Sequence, residues 1–213
     1  MHQSAVAFKV KELSFEGVVA QPDNSEDRLP AVVICHPHPL YGGNMNNGVV
    51  LAVSDDLVEH GFATLRFNFR GVGSSEGVHS KGELEHEEVL AALDLMKAWP
   101  KVDGRRIGLA GYSFGTRVIL GSAALPKKVK AIALISPSQG WLERSPLKRD
   151  KTPKLLITGS RDRLVESDRL QDILASFKHP PIYEVVPGAD HFWAGQEKEL
   201  STHVSQFFVE HLE

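Results

Sequence analysis

The sequence predicts an α/β fold, a doubly wound and mostly parallel sheet with helices on both faces and no cap domain. Three observations carry this. From Ala31 onward, short apolar runs alternate with longer segments of helical periodicity. Runs such as Ala31-Val32-Val33-Ile34-Cys35 lack the polar alternation of a half-exposed strand, as expected when both faces of a strand are covered. Finally, the run Ile107 to Ala110 meets Gly111-Tyr112-Ser113-Phe114-Gly115 and an apolar-periodic segment follows at once, which reads as buried strand, sharp turn, helix.

Taken in order, Ala5 to Val10 and Leu13 to Gln21 alternate apolar and polar around Lys11-Glu12, an antiparallel pair at a sheet edge. Pro22 to Pro30 is a polar loop, and Ala31 to Cys35 is the first fully covered strand. His36 to Asn47 is a loop crowded with Pro, Gly and Asn. Asn47 to His60 has helical spacing through Val50, Val53, Leu57 and Val58, with Gly61 as its stop. Ala63 to Phe69 is a strand, ending in the glycine-rich turn Arg70 to Gly77. Glu83 to Trp99 is an amphipathic helix through Leu84, Val89, Leu93 and Met96, and its acidic run Glu83 to Glu88 reads as a solvated first turn that complements the helix dipole. The strand Arg106 to Gly111, helix Ser113 to Leu125, strands Lys130 to Ser136 and Lys154 to Thr158, helix Ser167 to Phe177, strand Ile182 to Val186 and helix Glu197 to Leu212 complete the alternation. Between Ser136 and Lys154 the chain has room only for a loop or one short helix and not for a cap domain, and that segment is too short and too charged for a buried acyl tunnel.

The 213 residues, 42% of them hydrophobic, suit a single domain with one sizeable core. A net charge of −3 lacks the basic excess that holds a phosphate backbone, so nucleic acid is not an expected partner. No apolar run approaches membrane-spanning length and no signal peptide is visible at Met1 to Val10, so a cytoplasmic protein without membrane association is expected. Cys35, the sole cysteine, lies in an apolar run and reads as a small buried hydrophobe.

In a doubly wound sheet, loops leaving the C-terminal ends of the strands converge on one edge. That topology selects which polar residues can meet. Ser113 sits at the strand-to-helix turn, Asp162 follows the strand ending at Thr158, and His191 follows the strand ending at Val186. A serine hydroxyl is a weak nucleophile until an imidazole takes its proton, and the imidazole needs a carboxylate to hold its other nitrogen. Ser113, Asp162 and His191 are therefore the candidate catalytic residues. Asp190 competes with Asp162, but adjacent side chains on an extended loop point apart. The helix that starts after Ser113 also aims free N–H groups at the same spot.

With these pieces the chain resembles, over essentially its full length, a small lidless serine hydrolase of the α/β-hydrolase superfamily, related to the dienelactone hydrolase-like group. The matching stretches are Gly111 to Gly115, Gly159 to Asp162, Gly188 to Phe192, Arg70 to Ser75 and the start of the loop at His36-Pro37. The resemblance implies an oxyanion hole from the Phe114 N–H and a second N–H just after His36-Pro37. Proline has no N–H, so His38 is the first choice there, with Leu40 and Tyr41 as alternatives. Ser113 departs from the cysteine that the familiar dienelactone route uses. The implied activity is hydrolysis of esters, with amides, thioesters and acyl transfer on the same triad as alternatives, and the open site left by the short connection after Ser136 favours short or compact esters. A non-catalytic binding module on the same fold is the rival from another class, and the presence of all three triad residue types favours the enzyme. Tyr41, Met45, Trp141, Phe192 and Trp193 are the candidate substrate-binding walls. No cofactor and no metal is expected, since His36 and His38 lack carboxylate or cysteine companions. The expected partner is a small-molecule ester, on a monomer or homodimer.

Overall fold

Strands with continuous apolar sequence pair into one eight-stranded sheet, whose order is β1-β2-β4-β3-β5-β6-β7-β8. The computed structural model describes residues 1–23, 28–164 and 167–212. The strands are β1 His2–Val10, β2 Leu13–Gln21, β3 Leu29–Cys35, β4 Ala63–Phe67, β5 Val102–Tyr112, β6 Ala131–Ile135, β7 Lys154–Gly159 and β8 Ile182–Val186. The helices are α1 Gly48–Glu59, α2 Glu85–Ala98, α3 Phe114–Leu120, α4 Gln139–Arg144, α5 Ser167–Ala175 and α6 Glu197–Leu212. β1 and β2 form the expected antiparallel edge hairpin, β2 runs antiparallel to β4, and all later pairs are parallel.

Successive residues of the central strands feed opposite cores. Val32 and Ile34 pack with α1 and α6 on one face, whereas Ala31, Val33 and Cys35 pack with α2 and α3 on the other. Every residue of β3, β4, β6 and β7 is buried, which is why β3 and β6 read as unbroken apolar runs. β4 also buries Thr64 and Arg66, and β7 buries Lys154 and Thr158. Burial pushes the Cys35 thiol far up, consistent with an inert core residue.

Element ends depart from the pattern for local reasons. Residues 24–27 of the loop read between Pro22 and Pro30 lie outside the described residues. β3 starts at Leu29 because its N–H finds Lys101 O at 2.7 Å. β4 stops at Phe67, since the next two amides leave the β3–β4 ladder, Asn68 N bonding Glu16 O and Phe69 N bonding a His36 ring nitrogen. α1 is capped by Asn47, whose side chain accepts from Val49 N at 3.0 Å. α3 ends at Leu120, five residues before the sequence pattern does, and a 3-10 turn at Leu125–Lys128 takes up the remaining apolar residues.

The first turn of α2 is not solvated as its acidic sequence suggests. Glu85 and Glu88 are fully buried. Glu85 accepts from Ser80 N, Gly82 N and the Ser80 hydroxyl, and Glu88 accepts from Arg70 N and pairs with Arg70 Nε. Buried carboxylates persist only when hydrogen-bonded or paired in this way. Together they fasten the glycine-rich turn after β4 to α2.

Between β6 and β7 the chain holds only α4 and a 3-10 turn at Pro146–Arg149, so no cap domain covers the sheet edge. No described helix is long and apolar enough to cross a membrane.

Candidate active site

The turn from β5 into α3 is strained at Ser113, which has φ 50° and ψ −106°. A non-glycine residue holds such a conformation only where its surroundings impose it. Here β5, β3 and α3 crowd together. A Cβ on Gly111 would stand 2.7 Å from the Gly115 backbone, and a Cβ on Gly115 would stand 2.4 Å from Cys35 O. Only glycine at both positions lets the helix begin so close to the sheet.

Ser113, Asp162 and His191 arrive from β5, β7 and β8 at the same sheet edge. Ser113 Oγ is 3.0 Å from His191 Nε2, and His191 Nδ1 is 2.8 Å from Asp162 Oδ2. An ionised carboxylate only accepts, so Nδ1 carries the proton and Nε2 is left to accept from Ser113. The Asp162 side chain is buried, and its Oδ1 accepts from Leu164 N at 2.9 Å. Asp190, the competing acid, is turned to its own loop and accepts from Phe192 N and Trp193 N, both at 2.9 Å. Tyr112 donates its hydroxyl to His191 O at 2.8 Å, and burial, with Asp162 and Asp190 nearby, pushes that phenol well above its usual range. The phenol is therefore a permanent donor that pins the backbone of His191.

The loop after β3 faces Ser113. His36 is fully buried, with Nδ1 at 2.6 Å from Pro37 O and Nε2 at 3.1 Å from Phe69 N. A backbone amide only donates, so Nε2 accepts and Nδ1 donates, and both nitrogens are spent on the protein itself. Burial lowers the His36 pKa to about 4. His38 sits half-buried with its ring 5.0 Å from that of Phe114. Burial, then His79 and Arg117, lowers its pKa as well. Of the three candidate second donors, Leu40 N is bonded to His38 Nδ1 at 3.2 Å and Tyr41 N to His38 O at 3.1 Å. Among the described residues the His38 N–H has no such partner. Phe114 N–H, at the first position of α3, precedes Thr116, whose N–H bonds Ser113 O at 3.0 Å.

A cavity of about 210 Å³ opens on Ser113 and His191. Of the five substrate-binding residues expected from sequence, Trp141 is the one among its lining residues. Trp141 and Phe114 line it, together with His38, but Tyr41, Met45, Phe192 and Trp193 do not. Tyr41 and Phe192 are 88% and 70% exposed, standing outside the cavity next to His38 and His191 respectively. Met45 is buried beneath the loop, where its amide bonds Asn68 Oδ1 at 2.8 Å. Trp193 is wholly in the core, its indole N–H donating to Ser136 Oγ at 3.1 Å. Arg117, Ser136, Ser138 and Leu164 take the missing places. Arg117 carried a readable signal, lying one helical turn after Ser113 and so on the same helix face. Among the described residues no group of three or more potential metal ligands occurs. A larger depression of about 890 Å³, bordered by Lys148, Arg149 and Phe177, shares no wall with the Ser113 cavity.

With this geometry in hand, the decisive likeness is that of the dienelactone hydrolase family, which matches residues 15–206. The chain belongs to the dienelactone hydrolase family. An uncharacterised protein of Rickettsia prowazekii is 32% identical over 213 residues, covering 96% of this chain and 88% of that protein. Among solved structures, an alpha-beta serine hydrolase homologue from Coxiella burnetii shares 31% identity with a TM-score of 0.83, covering 97% of each chain. A serine hydrolase without lid from Xanthomonas campestris shares 26% identity with a TM-score of 0.84, covering 99% of this chain and 95% of that one. This member of the dienelactone hydrolase family is thus an α/β-hydrolase without a cap, and its likenesses support a hydrolase. Within the family's fold, the turn from β5 into α3 carries Ser113.

Proposed function

We propose that this dienelactone hydrolase family member is a serine hydrolase that cleaves short or compact esters through an acyl-serine intermediate. The observation that carries the reading is the unbroken chain Ser113 Oγ, His191 Nε2, His191 Nδ1, Asp162 Oδ2, with contacts of 3.0 and 2.8 Å. In this reading Ser113 Oγ attacks the ester carbonyl while its proton passes to His191 Nε2. Asp162 holds the tautomer and stabilises the imidazolium. The oxyanion accepts from the Phe114 N–H and from the His38 N–H, which makes no hydrogen bond among the described residues. The imidazolium then gives its proton to the leaving alcohol, and a water activated by His191 releases the acid. Substrates are short or compact because the cavity is small and, among the described residues, no cap domain covers it.

The test is labelling with an active-site fluorophosphonate and turnover of p-nitrophenyl acetate. Wild-type protein is expected to be labelled at Ser113 and to turn over, and Ser113→Ala to do neither while keeping its fold. Equal turnover by both proteins would return the fold to a binding role.

A further inference from the structure

His38 precedes the 3-10 turn Pro39–Tyr41 and caps it with its own side chain, Nδ1 accepting from Leu40 N at 3.2 Å. A backbone amide only donates, so Nδ1 carries no proton and the one proton of the neutral ring sits on Nε2. Burial, then His79 and Arg117, holds the His38 pKa below the usual imidazole range, which keeps the ring neutral at pH 7. Three neighbouring rings set its plane, Phe114 and Tyr41 with centroids at 5.0 Å and His79 at 5.2 Å. Among the described residues no group accepts from Nε2, and Nε2 is not enclosed by protein. The ring lines the cavity that opens on Ser113 and His191. A fixed, neutral N–H donor without an acceptor therefore borders the space where an ester carbonyl must lie to meet Ser113.

We propose that the His38 side chain is a third donor to the oxyanion, its Nε2–H bonding the carbonyl oxygen of the ester as Ser113 attacks. The inference rests on the serine-hydrolase reading and adds a side-chain donor to the backbone N–H groups of Phe114 and His38. The cavity is small, about 210 Å³, so a donor on its wall beside Phe114 meets the reacting group rather than a distant part of the substrate. Negative charge builds on the carbonyl oxygen only as the bond from Ser113 Oγ to carbon forms and the C=O π bond opens. A donor already in place therefore favours the transition state over the bound ester. His38 gives a hydrogen bond and keeps its proton, since a neutral imidazole that lost one would become an anion. The proton of Ser113 still passes to His191. Protonation of His38 would place a second N–H at Nδ1, against the amide of Leu40, so the cap and the donor both require the same neutral tautomer.

Asparagine and glutamine separate the two ring nitrogens. In His38→Asn the short amide can still accept from Leu40 N and cap the turn, a position that asparagine favours, but nothing replaces the Nε2–H. In His38→Gln the longer amide carries an N–H to the place of Nε2 and gives up the cap. Both variants keep the backbone N–H of the residue. The test measures kcat and KM for p-nitrophenyl acetate, the rate at which a fluorophosphonate labels Ser113, and the melting temperature, for wild type and both variants. His38→Asn is expected to hold its melting temperature and to lose on the order of 10²-fold in kcat with little change in KM. Its labelling is expected to slow as well, because the phosphoryl oxygen of the probe takes the place of the oxyanion. His38→Gln is expected to melt lower, yet to keep a kcat at least about 10-fold above that of His38→Asn. A His38 that served only to cap its turn would give the reverse order. Near wild-type kcat in His38→Asn, a kcat in His38→Gln as low as in His38→Asn, or a loss confined to KM overturns the proposal. Labelling of the wild type separates that failure from failure of the reading beneath it. A wild type that is labelled and active, beside an unimpaired His38→Asn, removes only the role of the His38 side chain. A wild type that is neither labelled at Ser113 nor active removes the serine-hydrolase reading and this proposal with it.

Discussion

The Phe69 amide donates to His36 Nε2 at 3.1 Å, so a neutral imidazole ties the loop after β3 to the chain leaving β4. The His36 pKa falls from 6.5 to about 4 in the folded chain, chiefly through burial. Below pH 6.5 the unfolded chain therefore takes up a proton that the folded chain refuses. The stabilisation is complete above about pH 6.5 and is lost as the pH falls toward 4, by about 3 kcal/mol over the window. Denaturant unfolding at pH 7, 5.5 and 4.5 is expected to show a steeper loss in wild type than in His36→Gln, which starts less stable but has nothing to protonate. Parallel slopes for the two proteins would mean that His36 does not titrate as its burial dictates.

The contact between His191 Nδ1 and Asp162 Oδ2 sets which nitrogen faces Ser113. Asp162→Asn can donate as well as accept, which permits the wrong tautomer and removes the negative charge that stabilises an imidazolium. By the precedent of serine proteases, kcat is expected to fall on the order of 10⁴. Asp190→Asn is expected to keep most activity, because Asp190 only accepts from the amides of its own turn. A larger loss in Asp190→Asn than in Asp162→Asn would reverse the assignment of the acid.

Strand positions were readable because burial on both faces leaves an apolar run with no alternation, and Ser113 was readable because Gly111 and Gly115 mark the close approach of α3 to β5 and β3. The direction of loop side chains was not. Trp193 and Phe192 are adjacent and alike in sequence, yet Trp193 turns into the core, where Ser136 Oγ accepts its indole N–H, while Phe192 faces solvent. Glu85 and Glu88 look like a solvated first turn by charge. Helical spacing says otherwise, because positions 85, 88, 92 and 96 share one face, and Ala92 and Met96 are buried on it. The partner that makes burial of Glu88 tolerable, Arg70, is distant in sequence and belongs to a different element.

Gly115→Ala disturbs the packing of the turn from β5 into α3 without removing a reacting group. The new Cβ would stand 2.4 Å from Cys35 O and 2.8 Å from Cys35 Cβ, against a fully buried strand that has no room to retreat. Overpacking of this kind costs about 1–3 kcal/mol, and shifting α3 also moves the Phe114 N–H. Both a lowered melting temperature and a lowered kcat are expected, whereas Ser113→Ala should lose activity with little change in melting temperature. An undisturbed melting temperature in Gly115→Ala would mean that α3 does not lie as close to β3 as these contacts require.

Chain-length preference follows from the size and openness of the site. The cavity of about 210 Å³ has Trp141, Phe114 and Leu164 as its apolar walls, and the segment between β6 and β7 contains only α4 and a short 3-10 turn to cover it. Leu40, Tyr41, Leu164 and Phe192 are exposed, so none of them encloses a long acyl chain. Each methylene that leaves water contributes about 0.8 kcal/mol, but a chain that outgrows the cavity leaves its further methylenes in solvent and gains nothing from them. In a p-nitrophenyl ester series from acetate to decanoate, kcat/KM is therefore expected to peak at short acyl groups and then level or fall. Measurements belong below the solubility limit of each ester and at constant protein concentration, so that micelles and self-association do not mimic a preference. Rates that climb steadily to decanoate, or that jump when an ester emulsion forms, would reveal an enclosing surface that α4 and its neighbouring loops do not provide.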